Sequence, residues 1–330
     1  MRYFLGIDQG GTKTAAIVCD SNGNILGTGY DAGLTDVYFN DEEALYIKRL
    51  VKAGERACAM AGIGLEEVSA VCGGLSGVDW DFEVAIFTDM LSGAFNKKDV
   101  IAVNDCIIAM RGGSASRECA VVCAGSGLNV AVRGNGRETI YGYYIHTRYQ
   151  GAGALGTAAL EKIYDACMGI CAETALSGLI LGFTGYDNAE SLLIDTSTGK
   201  YKIDSKLLAP LLLKAYAAGD KVAAGIIDEF CGGVARYIPA AMGKLGLSGR
   251  ALDIVFSGSV FKDIGTLVAD KIFEYIKAAA PGARKVHARY EPVCGAVLTL
   301  LDREWGNNQE FMKIFDDSAK SFGLIRNLDV

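Results

Sequence analysis

The chain has little proline and less histidine: 4 Pro and 2 His among 330 residues. So few prolines exclude a stiff proline-rich linker between domains. His146 and His287 are the only histidines, and none of the 10 cysteines forms a Cys-x-x-Cys pair. Cys167 and Cys171 are spaced i, i+4, as are Cys119 and Cys123, but with no Cys-x-x-Cys pair and only two histidines a zinc or iron–sulfur site is not the expectation. Several cysteines (Cys19, Cys72, Cys123) lie inside apolar runs, where cysteine packs as a small hydrophobe. A reduced, cytoplasmic setting is therefore expected. No apolar stretch approaches the roughly 18 residues that suggest a membrane span. Met1-Arg2-Tyr3 runs straight into an apolar strand with no signal-peptide pattern. Positive charge is also short, with 32 Lys and Arg against 39 Asp and Glu, a net charge of -7 and no basic cluster. That excludes nucleic acid and anionic membranes as expected partners, because both demand clustered cations.

What is present is apolar: 51% of residues are hydrophobic and 22% charged, the balance of a well-buried globular chain. The length predicts two domains. The most informative stretch is Tyr3–Val18. An apolar run ends at Asp8, a turn Gly10-Gly11-Thr12-Lys13 follows, and a second apolar run begins. This reads as a hairpin. Gly10 and Gly11 leave room for a phosphate at the backbone N–H groups, while Thr12 and Lys13 supply a hydroxyl and a cation. Asp8 could hold Mg²⁺ through water. The pattern is not a Walker loop, which needs Gly-x-x-x-x-Gly-Lys-Ser/Thr opening a helix. An ordinary surface hairpin has the same turn residues.

The pattern then recurs. Ile101–Asp105 is an apolar strand ending in Asn104-Asp105. Val121–Val132 is strand, Gly125-Ser126-Gly127 turn, strand. Ile254–Phe261 is a strand entering the small-residue loop Gly258-Ser259-Val260. Asn22-Gly23 and Asn135-Gly136 are hairpin turns. Helices are expected over Asp41–Ala61, Asp81–Leu91, Ala154–Met168, Ser205–Ala217, Asp220–Leu245 and Asp263–Ala279, and from Pro292 to Leu301. Both halves thus open with three strands around glycine turns and continue with alternating helices and strands, as a duplication would. Arg111–Ser116 is the expected boundary.

These motifs, in this order, resemble the actin, sugar-kinase and heat-shock ATPase superfamily. Within it the chain is most similar to the N-acetylglucosamine kinase branch of the BadF/BadG/BcrA/BcrD ATPase family, from about residue 3 to about residue 300. The resemblance implies an α/β fold of two related RNase H-like domains flanking a cleft. They would span 1–113 and 114–330, with a last helix packing back on the first. It implies ATP and Mg²⁺ as cofactors. Asp8 and Gly10–Lys13 would form a phosphate-1 loop, Gly125-Ser126-Gly127 a phosphate-2 loop and Gly258-Ser259-Val260 an adenosine loop. Asp105 matches the catalytic Asp that takes a proton from a sugar hydroxyl. Read from local sequence alone, Asp105 could merely N-cap the helix starting at Cys106, and both roles can hold, since only one carboxylate oxygen caps. Leu75-Ser76-Gly77-Val78-Asp79 matches an acceptor segment. Asn104, Asn129 and Asp36, the last where relatives carry Thr-Asn, fall at further acceptor positions.

One departure stands out. Where amino-sugar kinases carry Gly-Asp-Glu-Gly-Ser, this chain has Arg148-Tyr149-Gln150-Gly151-Ala152. Tyr149 and Gln150 replace an acidic pair that holds sugar hydroxyls. Arg148 and His146 would suit an anionic acceptor, such as a sugar acid or muramic acid derivative. The leading expectation is an ATP-dependent sugar or amino-sugar kinase. One rival is an ATPase that drives conformational change, as the 2-hydroxyacyl-CoA dehydratase and benzoyl-CoA reductase activators do. Their dehydratase arm is dimeric, so a homodimer belongs to the expectations. The other rival is a non-catalytic ATP or sugar sensor, against which the retention of both Asp8 and Asp105 argues.

Overall fold

The computed structural model describes residues 1–34, 43–306 and 309–326. Strands β1 (Tyr3–Gln9), β2 (Lys13–Asp20), β3 (Ile25–Ala32), β4 (Val68–Leu75) and β5 (Val100–Asn104) form one sheet in the order β3-β2-β1-β4-β5. Strands β6 (Cys119–Ala124), β7 (Leu128–Gly134), β8 (Arg137–Ile140), β9 (Asp253–Ser257) and β10 (Arg284–His287) form the other, in the order β10-β9-β6-β7-β8. Read from its far edge, the second sheet repeats the strand order of the first. This is the duplicated α/β architecture expected from the two glycine-elbow hairpins.

Helices α1 (Glu43–Ala61), α2 (Asp81–Phe95) and α3 (Asp105–Gly113) belong to the first half of the chain. The second half carries α4 (Gly151–Cys167), α5 (Ala175–Thr184), α6 (Ala189–Ser197), α7 (Ala209–Ala217), α8 (Lys221–Ala235), α9 (Tyr237–Leu245) and α10 (Thr266–Ala279). Helices α11 (Pro292–Trp305) and α12 (Gln309–Ser321) close the chain. Two compact units result. One comprises Met1–Val121, Asp253–Val255 and Val286–Val330, the other Val122–Leu252 and Phe256–Lys285.

In the first unit the sheet is buried on both faces. Phe4, Ala15, Ile17 and Cys19 point to one side, with α11 and Phe315 of α12. Leu5, Ile7, Ala16 and Val18 point to the other, with Tyr46 and Leu50 of α1 and Phe87 and Leu91 of α2. Double burial explains why β1 and β2 read as continuous apolar runs rather than alternating ones. Helix α1 lies so close to β3 that a Cβ on Gly29 would meet the Ala53 carbonyl oxygen at 2.0 Å.

The expected helix over 220–245 is two helices, α8 and α9, meeting at Arg236. Pro239 causes the break, since it lacks the N–H and its ring crowds the carbonyl of Ala235. Helices α5, α6 and α12 and strand β10 are additions to the sequence expectation. No helix among the described residues is long and apolar enough to cross a membrane.

Candidate active site

The parallel strands β1, β4 and β5 end together. Gln9 lies opposite Leu75, and Leu75 opposite Asn104. Their carboxyl ends therefore gather Asp8, the Ser76–Asp79 segment, Asn104 and Asp105 at one edge of the first sheet. This is where open α/β sheets place ligands. Both Asp8 and Asp105 are part-buried. Loss of solvent pushes the Asp105 carboxyl up to about 7, and the neighbouring Asp8 and Asp79 carboxylates push the same way. Burial likewise pushes Asp8 up to about 6, with Lys13 and Arg326 opposing and Glu291 adding to it. Carboxyls poised near neutral pH are what general base chemistry asks for.

The cap of α3 is Asn104, not Asp105. The Asn104 Oδ1 accepts from the Cys106 N–H at 2.9 Å. Its Nδ2 donates to Asp79 Oδ1 at 3.1 Å. The capping role open to Asp105 on sequence is thus filled by its neighbour. Asp79 is held on its other side, where its N–H and that of Trp80 donate to the buried Glu83 carboxylate at 2.7 and 2.9 Å. Ser76 and Gly77 sit part-exposed in the same loop.

The β1–β2 turn is closed by the Gly10 N–H donating to the Lys13 carbonyl at 3.0 Å. Gly11, Thr12 and Lys13 are exposed at its tip. The Lys13 ammonium is 3.8 Å from Glu291 Oε2, and Arg326 Nε is 3.2 Å from Glu291 Oε1. Gln9, Glu291 and Arg326 are residues the sequence reading passed over. Gln9 looked like strand, and the other two lie far along the chain from the turn. Asp36 lies outside the described residues.

The second unit assembles its own loops. The Gly125 N–H donates to the Gly127 carbonyl at 2.9 Å, and the Ala152 N–H at the start of α4 donates to the Gly125 carbonyl at 2.9 Å. Ser126 and Gly127 stay exposed. Gly258 has φ 106°, and a Cβ there would lie 2.1 Å from the Ala124 carbonyl oxygen, so this position requires glycine. Ser259 is exposed and Val260 buried. A Cβ on Gly125 would lie 3.9 Å from Ser259 Oγ, which sets the two glycine loops side by side. Asn129 is part-buried on β7, just beyond the first of them.

Tyr149 and Gln150 are engaged internally. Tyr149 is 7% exposed and packs against α8, where a Cβ on Gly233 would come within 2.2 Å of its ring. The guanidinium groups of Arg148 and Arg236 lie 5.5 and 5.7 Å from its ring centroid. Gln150 accepts from the Leu128 N–H at 3.1 Å and donates to the Gly142 and Ile145 carbonyls at 3.1 and 3.2 Å.

Residues 5–299 match the model of the BadF/BadG/BcrA/BcrD ATPase family. The chain belongs to that family. An N-acetylmuramic acid/N-acetylglucosamine kinase of Clostridium acetobutylicum is 26% identical over 307 residues, covering 90% of this chain and 98% of the relative. An N-acetyl-D-glucosamine kinase of Dictyostelium discoideum is 24% identical over 326 residues, covering 91% and 98%. Among solved structures, a Chromobacterium violaceum chain superposes with a TM-score of 0.69 at 20% identity, covering 91% of this chain and 99% of that one. A ROK family glucokinase from Streptomyces griseus, in complex with glucose and AMPPNP, gives 0.59 at 19% identity, covering 89% and 97%. At such identities the structures establish the fold: the two-domain actin-like ATPase architecture.

The site fits a magnesium nucleotide. Among the described residues no group of three or more His, Cys, Asp or Glu side chains forms a metal cage. Mg²⁺ keeps several waters and takes phosphate oxygens, so one carboxylate such as Asp8 beside the exposed Gly11–Lys13 turn suits it.

Proposed function

We propose that this protein is an ATP-dependent kinase that transfers the γ-phosphoryl group to a hydroxyl of an amino sugar of the N-acetylglucosamine type, or of its acidic N-acetylmuramic relative. The observation that carries this reading is the Asp8–Asp105 pair: two carboxyls at the carboxyl ends of β1 and β5, the parallel strands on either side of β4, raised to about 6 and about 7 in a chain of this ATPase family. The relatives named as kinases of these two sugars favour it over the conformational-ATPase and sensor readings.

In this reading Asp105 takes the proton of the attacking sugar hydroxyl. Its raised pKa keeps it basic enough to do so near neutral pH. Asp8 would hold Mg²⁺, which when bound would supply charge neutralisation at the phosphates. Gly10, Gly11, Thr12 and Lys13 receive one part of the phosphate chain, and Gly125, Ser126 and Gly127 another. Gly258, Ser259 and Val260 let the nucleoside approach main chain. Ser76, Gly77, Asp79 and Asn104 are the acceptor residues of the first unit, and the family resemblance adds Asn129 and Asp36 as acceptor candidates. Tyr149 and Gln150, expected at the acceptor, act instead within the second unit, where Gln150 bonds Leu128, Gly142 and Ile145.

An assay of ATP consumption against hexoses, hexosamines, N-acetyl sugars and muramic acids tests the reading. Magnesium-dependent turnover with an N-acetylated amino sugar, lost in Asp105→Asn, is expected. ATP hydrolysis indifferent to every sugar would overturn it in favour of an ATPase.

A further inference from the structure

Gln9 follows Asp8 at the end of β1, and its side chain is almost wholly buried, 1% exposed. A buried carboxamide has two N–H donors and one oxygen with two lone pairs, and each unmet one is costly. Here all four are used, and the partners belong to separate segments. The Nε2 donates to the Gly10 carbonyl at 3.2 Å, inside the β1–β2 turn. It also donates to the Leu34 carbonyl beyond β3. The Oε1 accepts from the Tyr46 hydroxyl of α1 at 2.9 Å and from the Ser76 N–H at 3.3 Å. The Ser76 N–H also donates to the Gln9 carbonyl at 3.0 Å, so main chain and side chain of one residue grip the start of the Ser76–Asp79 loop together. Tyr46 is itself fixed, 1% exposed and edge-on to Phe87 at 6.0 Å between centroids.

We propose that Gln9 is a positioning residue that couples the phosphate-binding turn to the acceptor loop, so that nucleotide seated at Gly10–Lys13 orders Ser76–Asp79 for the sugar. This rests on the kinase reading above. An apolar residue of similar size would pack equally well in a strand buried on both faces. A carboxamide with every hydrogen bond directed at a different segment instead makes those segments move as one. A purely structural strand residue needs no bond to the Gly10 carbonyl, the one group of the four that belongs to the phosphate turn.

The full-length protein and its Gln9→Met and Tyr46→Phe variants provide the test. Gln9→Met removes all four side-chain bonds at similar volume, and Tyr46→Phe removes one and leaves the rest. In the wild type, AMPPNP with magnesium should slow amide hydrogen exchange over Ser76–Val78. In Gln9→Met that protection should vanish. The KM for the best sugar should rise about tenfold, on the scale of one or two buried hydrogen bonds, while kcat and the KM for ATP stay within threefold. Tyr46→Phe, the milder change, should shift sugar KM the same way by a smaller factor and serves if Gln9→Met fails to fold. Equal AMPPNP protection of Ser76–Val78 in wild type and in whichever variants fold would overturn the coupling, as would an unchanged sugar KM. A wild type that phosphorylates no sugar would overturn the kinase reading alone, because the exchange experiment needs only the nucleotide analogue.

Discussion

The Asn104 side chain joins two things that must agree in position: its Nδ2 holds Asp79 Oδ1 at 3.1 Å while its Oδ1 caps the helix that Asp105 begins. Asn104 is thereby the cap of that helix, while the Asp105 carboxyl still meets the Cys106 N–H. Asp105→Asn should retain ATP binding and lose at least ~100-fold in turnover, the usual scale for a general base. Calorimetry with AMPPNP beside a steady-state assay separates the two effects. Asn104→Ala should melt a few degrees lower, since loss of a cap costs ~1 kcal/mol, and should weaken sugar binding through the bond it no longer makes to Asp79.

The carboxyl pair gives a pH signature with a definite sign. Unfolded, both groups ionise near 3.8; folded, Asp8 waits until about 6 and Asp105 until about 7. Between these values the unfolded chain has released protons that the native protein still holds, so stability falls as pH rises from about 4 to about 7. Groups held low, such as Asp31 and Asp220, act only below that window. The ligand-free protein should therefore melt several degrees higher at pH 5 than at pH 8. Asp105→Asn should melt above wild type at pH 8 and lose that advantage at pH 5. A variant less stable than wild type at pH 8 would contradict the burial argument. Turnover should move the other way, rising as pH passes through about 7.

Replacing the Tyr149-Gln150 pair by the acidic pair of the amino-sugar kinases should fail as a specificity switch. Tyr149→Asp would put a charge where a ring packs against Gly233 and between two guanidinium groups. Gln150→Glu would take away the donors that meet the Gly142 and Ile145 carbonyls. The first removes a buried ring and its packing, and the second leaves two carbonyls unsatisfied at ~1–3 kcal/mol apiece. Lowered melting with no gain in N-acetylglucosamine turnover is the expected result. A stable double variant with improved turnover would show that these positions face the sugar.

Most of the sheet framework was legible because double burial writes long apolar runs and the turns between them carry glycine. Tyr3–Val18 and Val121–Val132 gave both hairpins, and Pro292 gave the start of α11. The failures have causes too. A helical period persists through Arg236, so the break before Pro239 was missed. Helices α5 and α6 interrupt a stretch read as connection. At the candidate site, glycines and strand-end carboxylates announced themselves. Gln9 did not, because nothing local distinguishes a hub from a polar strand residue, and the Tyr149-Gln150 departure could be seen without showing that both side chains turn inward.

The last expectation concerns charge delivered from the end of the chain. The family match stops at residue 299, yet the segment after α12 returns to the site. The Glu291 N–H donates to the Leu324 carbonyl at 2.9 Å, and the Arg326 N–H to the Arg289 carbonyl at 2.9 Å. That pairing sets Arg326 against Glu291, whose other oxygen lies 3.8 Å from Lys13. Glu291 is shared between two cations. In Arg326→Gln it loses that guanidinium, and its pull on Lys13 away from the phosphates grows. The KM for ATP should then rise roughly three- to tenfold, a fraction of the ~1.5–3 kcal/mol of a hydrogen bond between charged groups. The sugar KM should hardly move. Adding Glu291→Gln to Arg326→Gln should release Lys13 and recover much of the loss. An ATP KM that stays constant in Arg326→Gln while melting falls would show that the tail only braces the fold.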